Sequence, residues 1–228
     1  MFIDYTIIPG KPVNQQIYRF LRHDIVSCII PPGSLLSEKD VSSRFSVSRQ
    51  PVREAFIKLA ENGLIQVLPQ RGTFVRKISA RNVADGRFIR EAVEIAVVRR
   101  AALEATDKGL AALEYNLQLQ QLAADRHDSQ EFLLLDDEFH RLIAQSIHCD
   151  LAWETVENIK AAMDRVRFLT LSEVSPPEQL IAQHRSVYQA LCAKDADAAE
   201  SALRHHLQAM ITSITPITAQ NPDWFEEF

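Results

Sequence analysis

The sequence predicts a mostly α-helical protein, an N-terminal winged helix-turn-helix followed by a C-terminal all-helical antiparallel bundle. Three observations carry that prediction. Apolar residues recur at helical spacing through most of the chain; one stretch, Leu64-Ile65-Gln66-Val67 to Thr73-Phe74-Val75, has strand character around a glycine tip; and the charge reverses between the first third and the rest. At 228 residues the chain exceeds one ordinary helical domain, and about 100 to 200 residues per domain implies two. A composition of 46% hydrophobic and 24% charged residues suffices to bury two cores. No run approaches the ~20 apolar residues of a membrane span, and Met1-Phe2-Ile3-Asp4-Tyr5 lacks an export pattern, so no membrane is expected and the compartment is expected to be the cytoplasm. Cys28, Cys149 and Cys192 show no C-x-x-C spacing and are expected as buried free thiols.

The formal net charge of -5 hides an asymmetry. Residues 1 to 80 carry a net +5 and residues 81 to 228 a net -10, so a basic domain precedes an acidic one. The expected boundaries are a winged helix over 1–77, a polar linker over 78–82, a helical domain over 83–215 and a tail over 216–228.

The first helix is expected to start at Pro12, where a missing N–H costs nothing, with Val13, Ile17, Phe20, Leu21 and Ile25 on its apolar face; Pro31-Pro32-Gly33 ends it. Ser37 precedes a second short helix that buries Val41 and Phe45, and Ser37 with Asp40 resembles a weak capping box. Ser48 is expected to cap a third helix with Pro51 in its first turn and Val52, Ala55, Phe56 and Leu59 facing inward. Arg49 and Arg53, four apart, share another face. Gly63 then supplies a helix C-cap, and two short strands flank the tip Pro69-Gln70-Arg71-Gly72.

A helix whose first turns project two arginines suits the major groove, where arginine pairs bidentately with guanine O6 and N7. Ser48 and Gln50 stand beside them for phosphate or base edges. Gly72 permits close backbone approach to a phosphate or the minor groove, and Arg71 adds charge there. A lone pair of helical arginines is usually just a solvated face. Here helix, turn, arginine-bearing helix and basic-tipped wing arrive in order within a positively charged domain, which favours DNA binding. Lys39, on the second helix, is a further candidate contact, while Arg44 and Lys58 are expected to be ordinary surface residues.

The motifs Pro32-Gly33-Ser34-Leu35-Leu36-Ser37-Glu38, Ser48-Arg49-Gln50-Pro51-Val52-Arg53-Glu54-Ala55 and Arg71-Gly72-Thr73-Phe74-Val75 resemble the winged-helix domain of GntR-family transcription regulators over residues 12 to 77. The resemblance implies that Arg49, Arg53 and Gly72 occupy operator-contacting positions. Lys39 stands where many members have arginine, which keeps the charge and loses the bidentate fork.

Residues 81 to 213 read as helices throughout. A long first helix carries Phe88, Ile89, Ala92, Val93, Ala96, Val97 and Leu103 and ends at the Thr106-Asp107-Lys108-Gly109 break; further helices are expected over 110–124, 132–147, 151–171, 181–193 and 196–214, with Asp195 capping the last. Asp136 and His140 lie on one face of one helix, and His184 and His206 fall on the last two, with His206 sharing the inward face of Leu203 and Met210 while His205 looks solvated. Three imidazoles and a carboxylate suit Zn²⁺, Ni²⁺ or Mn²⁺. On spacing alone, each histidine taken singly is more often a hydrogen-bonded core residue than a ligand.

The pattern Asp136-x-x-Phe139-His140, then His184 ahead of Ala190-Leu191, then Ala202-x-x-x-His206-Leu207, resembles the metal-binding form of the FCD effector domain in the FadR subgroup of GntR regulators. The resemblance implies a divalent metal, zinc foremost, on Asp136, His140, His184 and His206. Two open positions on an octahedral ion would receive a bidentate carboxylate effector such as a small organic or sugar acid. Arg90, in an Arg-x-x-x-Glu pattern with Glu94, and Arg167 are the expected effector-binding arginines, with Arg165 a further source of positive charge; Arg90 and Glu94 alternatively form a structural salt bridge. His148 departs from the asparagine usual before the next helix, in a turn and not at a ligand. Other stretches, 13–18 and 56–64, look especially like enterobacterial regulators of sugar-acid dehydratase and dehydrogenase genes.

The expected protein is therefore a non-enzymatic, ligand-responsive regulator, a repressor in the first instance, whose homodimer places two recognition helices on a pseudopalindromic double-stranded operator. The alternatives are a regulator with a purely structural metal and a metalloenzyme; against the latter stands the absence of a general-base motif such as H-E-x-x-H.

Overall fold

The computed structural model describes residues 5–170, 176–209 and 218–226, which fall into two compact units, one within 1–83, 161–165 and 216–228 and the other within 84–160 and 166–215. In the first unit the chain runs through α1 (Val13–Val26), β1 (Leu35–Leu36), α2 (Glu38–Arg44), α3 (Arg49–Glu61), β2 (Ile65–Leu68) and β3 (Gly72–Val75). Pro12 is the N-cap of α1, one place ahead of the first helical residue, and α1 stops at Val26, before the proline pair. Ser37 caps α2 by accepting the Asp40 N–H at 3.3 Å. Ser48 sits at the N-cap of α3 in an extended conformation, but its hydroxyl makes no capping bond.

The strands form an antiparallel sheet in the order β1-β3-β2, with Leu35 opposite Phe74 and Leu68 opposite Gly72. Strand β1 has no signal in the sequence, because two residues carry no alternation. Ile17, Leu21 and Ile25 of α1 pack with Val52, Phe56 and Leu59 of α3 and with Leu64, Ile65 and Val75. Beneath this core Asp24 is fully buried, accepting from Arg44 Nη1 and the Tyr5 hydroxyl, each at 3.0 Å. Arg44 is exposed, as read, and its guanidinium also ties down this buried carboxylate, which needs a cationic partner.

The second unit holds α5 (Asp107–Asp125), α6 (Ser129–Gln145), α7 (Asp150–Ile159), α9 (Pro177–Cys192) and α10 (Ala196–Ala209); α4 (Ala80–Glu104) divides between the two units after Val83 and α8 (Ala161–Thr170) after Arg165. The expected linker 78–82 is shorter than read, because α4 already starts at Ala80. The helix expected over 151–171 is two helices. Lys160 ends α7 and is fully buried, its ammonium bonded to Asp137. Residues 171 and 210–214, expected to extend α8 and α10, lie outside the described residues, as does Met210. Asp195 does cap α10, accepting the N–H groups of Asp197 and Ala198 at 3.1 and 2.9 Å. His205 is exposed, as read. The cysteines are free, but Cys192 is exposed and Cys28 and Cys149 only half-buried, which corrects the expectation of buried thiols. No helix among the described residues is long and apolar enough to cross a membrane.

Gly109 is inside the first turn of α5 and not in a loop. Thr106 is the N-cap, accepting the Gly109 N–H at 3.1 Å. A Cβ on Gly109 would meet Ser146 Cβ at 2.6 Å and its Cα at 3.1 Å, so glycine here lets α5 approach the end of α6. Gly109→Ala should therefore destabilise the protein by about 1 to 3 kcal/mol through overpacking, against the roughly 1 kcal/mol that alanine gains in an open helix. A urea midpoint unchanged or raised in this variant would contradict the close approach.

Candidate metal centre and nucleic-acid interface

Asp136 and His140 project from one face of α6, His184 from α9 and His206 from α10, and all four side chains are buried. One ligand atom from each lies within 4.8 Å of all the others. The rings are held by neighbours: Phe139 stacks on His184 with centroids 4.3 Å apart, and His140 lies parallel to Trp153 at 6.4 Å.

Two of the imidazoles are hydrogen-bonded through Nδ1, and the third has a carboxylate beside its Nδ1. Gln120 Oε1 lies 2.9 Å from His184 Nδ1 and Gln183 Oε1 lies 3.0 Å from His206 Nδ1. Glu94 Oε2 is 2.5 Å from His140 Nδ1. The Gln120 amide cannot be turned round, because its Nε2 already donates to Asn116 Oδ1 at 2.7 Å. Oxygen acceptors at Nδ1 of His184 and His206 put the proton there and leave Nε2 as a bare lone pair, and the Glu94 carboxylate beside His140 Nδ1, though outside hydrogen-bond geometry, favours the same tautomer. His140 Nε2 and His184 Nε2 then each approach His206 Nε2 to 3.2 Å with no proton between them. Nitrogen ligands about 2.1 Å from one ion, at tetrahedral or octahedral angles, stand roughly 3.0 to 3.4 Å apart. Asp136 Oδ1 completes the set, 3.6 Å from His184 Nε2 and buried without a hydrogen-bond partner. Three converging lone pairs and an orphaned carboxylate oxygen are compatible with a divalent cation.

Electrostatics keep the donors in their binding forms. Burial lowers the His184 pKa to about 3 against the opposing pull of Asp136, and burial together with the other imidazoles lowers His206 well below its ordinary value, so both rings are neutral near pH 7. Burial would raise the Asp136 carboxyl, but Arg167, His184 and His140 outweigh it and the group stays ionised. Glu94 behaves likewise, pushed up by burial and brought down to about 2 by Arg90 and His140.

The two expected effector arginines lie at this centre in different states. Arg167 donates to Asp136 and, at 2.8 Å, to Asp137 Oδ1, which also holds Lys160. Arg90 Nε donates to Glu94 Oε1 at 2.5 Å, so the salt bridge expected as an alternative exists, yet its Nη2 is buried with no partner. The sequence reading missed the Nδ1 anchors. Glu94 was visible only as the partner of Arg90, Gln183 had its adjacency to His184 as a faint signal, and Gln120 had none. Arg165 is not at the centre; it bonds to the carbonyl of Arg76 in the first unit.

On the first unit, Lys39, Ser48, Arg49, Gln50, Arg53, Arg71 and Gly72 are all exposed. Arg49 and Arg53 share one face of α3. Arg53 Nε and Nη2 reach Glu38 Oε1 and Oε2 at 3.4 Å, a long, half-exposed pairing that leaves the fork available. Gln50 donates to Glu54 at 3.0 Å. At the wing, Pro69 and left-handed Gln70 (φ +60°) make a turn closed by the Arg71 N–H on Leu68 O at 3.0 Å. Gly72 has φ +112°, and a Cβ there would stand 2.9 Å from Leu35 Cδ1, so glycine serves both the backbone and the packing of β1.

Two family models match the chain: "Bacterial regulatory proteins, gntR family" over residues 13–75 and "FCD domain" over 87–209. The Escherichia coli K12 protein described as HTH-type transcriptional repressor RspR is 54% identical over 227 residues, covering 100% of both chains. An HTH-type transcriptional regulator of Streptomyces ambofaciens is 37% identical over 217 residues, covering 95% of this chain and 91% of its own. Among solved structures, E. coli McbR/YncC shares the fold with a TM-score of 0.76 at 23% identity, covering 91% of this chain and 98% of its own.

Two outcomes follow from this geometry. Arg53→Ala should weaken specific operator binding by about 1 to 3 kcal/mol, roughly 5- to 150-fold, and relax sequence preference at one base pair; unchanged affinity at fixed salt would remove Arg53 from the groove. The pH dependence of stability in metal-free protein should carry the signature of neutral buried histidines. Their folded pKa values lie below the unfolded value of about 6.5. The unfolded chain therefore binds more protons as pH falls below 6.5, and stability drops toward pH 3 by up to about 1.4 kcal/mol per pH unit per histidine. His206→Gln should flatten that slope between pH 6.5 and 5 in chelator-treated protein, and an identical slope would contradict the burial of a neutral ring.

Proposed function

The chain belongs to the GntR family of bacterial regulatory proteins and carries an FCD domain, which makes it a DNA-binding transcription regulator and not an enzyme, and we propose that it is a repressor whose helical domain senses a small organic acid through a bound divalent metal. The observation that carries this reading is the pairing of three bare Nε2 atoms and the Asp136 oxygen with an unsatisfied, buried Arg90 Nη2. Four donors of mixed nitrogen and oxygen character suit zinc first, with nickel and manganese as workable substitutes. When bound, the ion supplies a Lewis-acid anchor for a carboxylate.

The chain's own residues do the rest. Glu94, Gln120 and Gln183 fix the imidazoles in the ligating tautomer. Asp136 supplies the anionic ligand, and Arg167, held between Asp136 and Asp137, orients it and adds positive charge toward an incoming acid. Arg90 offers the partnerless Nη2 to a ligand oxygen. A purely structural metal would give that Nη2 no purpose, which favours the sensor.

In this reading residues 1–77 form the DNA-binding domain, 78–82 the connection and 83–215 the effector-binding and dimerisation domain. The outward face of α4, where Phe88, Ile89, Ala92, Ala96 and Leu103 are exposed, supports a homodimer formed through the helical domain, since so much apolar surface on one helix favours burial against a second copy. The dimer sets two α3 helices on the halves of a pseudopalindromic operator, with Lys39, Ser48, Gln50 and Arg71 on the flanking contacts.

His184→Ala should lower bound metal from about one ion per chain toward none while circular dichroism stays unchanged. Elemental analysis of the purified variant decides it, and full metal retention would sink the ligand assignment. In parallel, Arg90→Ala should keep the metal and lose the release of operator DNA by small carboxylic acids; a retained response would leave a structural role for Arg90.

A further inference from the structure

The candidate metal centre is ringed by more ionised groups than ligation requires. On one side Arg167 donates to Asp136 through Nη2 and to Asp137 Oδ1 through Nη1 at 2.8 Å, and Lys160 bonds to the other Asp137 oxygen. On the other side Glu94 Oε2 lies 2.5 Å from His140 Nδ1, and Glu94 Oε1 accepts from Arg90 Nε, also at 2.5 Å. These linked contacts set three carboxylates, Glu94, Asp136 and Asp137, against three cations, Arg90, Lys160 and Arg167. All are buried except Asp137, which is half-buried. Imidazoles that ligate a cation are neutral. The linked set therefore carries no net charge before an ion arrives.

A divalent ion adds two positive charges to this balanced interior. Uncompensated charge is costly away from water, and an anionic ligand of matching charge removes the cost. A monocarboxylate leaves one charge unopposed; a dicarboxylate leaves none. The second carboxylate also has a receptor, because Arg90 Nη2 is buried with no hydrogen-bond partner while Nε of the same guanidinium is engaged. The two positive poles are separate. An ion held by the Nε2 atoms stands on one side of the His140 ring, and Glu94 with Arg90 bonded to it stands on the Nδ1 side. Inorganic phosphate concentrates its charge at one point, whereas a short chain with a carboxylate at each end divides it between the poles.

We infer that the effector is a dicarboxylic acid, with one carboxylate taken by the ion at Asp136, His140, His184 and His206 and the other by Arg90 Nη2. Glu94, Asp137, Lys160 and Arg167 set the charge that this ligand must match. The inference deepens the acid-sensing reading above and rests on it.

Isothermal titration calorimetry on the full chain, loaded with zinc to a measured stoichiometry, compares acids that differ in one terminal carboxylate. Tartrate is paired with threonate and galactarate with galactonate, which covers two chain lengths, and inorganic phosphate is titrated beside them. Free zinc is buffered so that chelation by the acids leaves the stoichiometry unchanged. For at least one pair the dicarboxylate should bind roughly 10- to 150-fold more tightly than its partner, the range of a charge-assisted bond to a buried group. Arg90→Gln removes one positive charge and the receptor, and should bring that pair within about threefold. Arg90→Lys keeps the charge and should retain part of the preference. Metal-free protein, whose linked set is neutral, should show none. Circular dichroism melts establish that the variants are folded, and the comparison of the unaltered chain with and without zinc decides the inference by itself if they are not. Equal affinity within both pairs overturns it, as does an undiminished preference in folded Arg90→Gln. Phosphate binding as tight as that of the better dicarboxylate overturns the two-ended ligand. A zinc-loaded chain that binds none of these acids fails the acid-sensing reading, and a chain that binds no zinc fails the metal reading; either result removes the inference with it.

Discussion

Two imidazole nitrogens, His140 Nε2 and His184 Nε2, each held 3.2 Å from a third, His206 Nε2, are the constraint around which the helical unit is organised. Neutral rings in such positions repel, and only a cation or a displaced proton relieves them. The proton route is disfavoured at His184 and His206, because Gln120 and Gln183 accept from their Nδ1 atoms and burial pushes both rings toward the neutral form. Glu94, Gln120 and Gln183 come from α4, α5 and α9 and the donors from α6, α9 and α10, so packing five helices together is what builds the donor set. The bundle holds a demand for positive charge at its centre.

Arg167 and Lys160 show how the fold tolerates that demand without an ion. Asp136 with no partner would carry a desolvation cost of several kcal/mol. Arg167 offsets it, and Asp137 in turn shares Arg167 with Lys160, so the buried charges form a chain that alternates in sign from Asp136 to Lys160. The requirement that Lys160 reach Asp137 also marks where α7 ends and α8 begins. A break in a helix, a buried lysine and the ionisation of a candidate metal ligand are one electrostatic arrangement.

What was legible in the sequence was whatever acts over a few residues. The spacing of Arg49 and Arg53, the cap at Ser37, the wing tip at Gly72 and the shared face of Asp136 and His140 are local, and each stands in the structure as the spacing implies. His184 and His206 were legible because a helix has one inward face and each falls on it. The rest depends on residues far apart. Nothing near Gln120 points to a histidine 64 positions away, and the apolar period runs on through 151–171 regardless of the ion pair that interrupts it at Lys160. Strand β1 and the bridge between Ile78 and Phe225 are too short to have a period at all.

The output side needs little energy to be switched. The Arg53 fork rests on Glu38 through contacts of 3.4 Å between half-exposed groups, a pairing of at most about 1 kcal/mol. A single bidentate contact to guanine gains about 1 to 3 kcal/mol, and a typical coupling between two sites in one protein is of the same size. In the proposed dimer, two α3 helices on one operator would double the effect of any change in their placement. A shift that cost each protomer one guanine contact would change occupancy by a factor of roughly 30 to 25,000 at ~1 to 3 kcal/mol per contact. Under the proposed function, that range is reached without unfolding or large rearrangement, which suits a candidate site that is buried and already arranged around its donors.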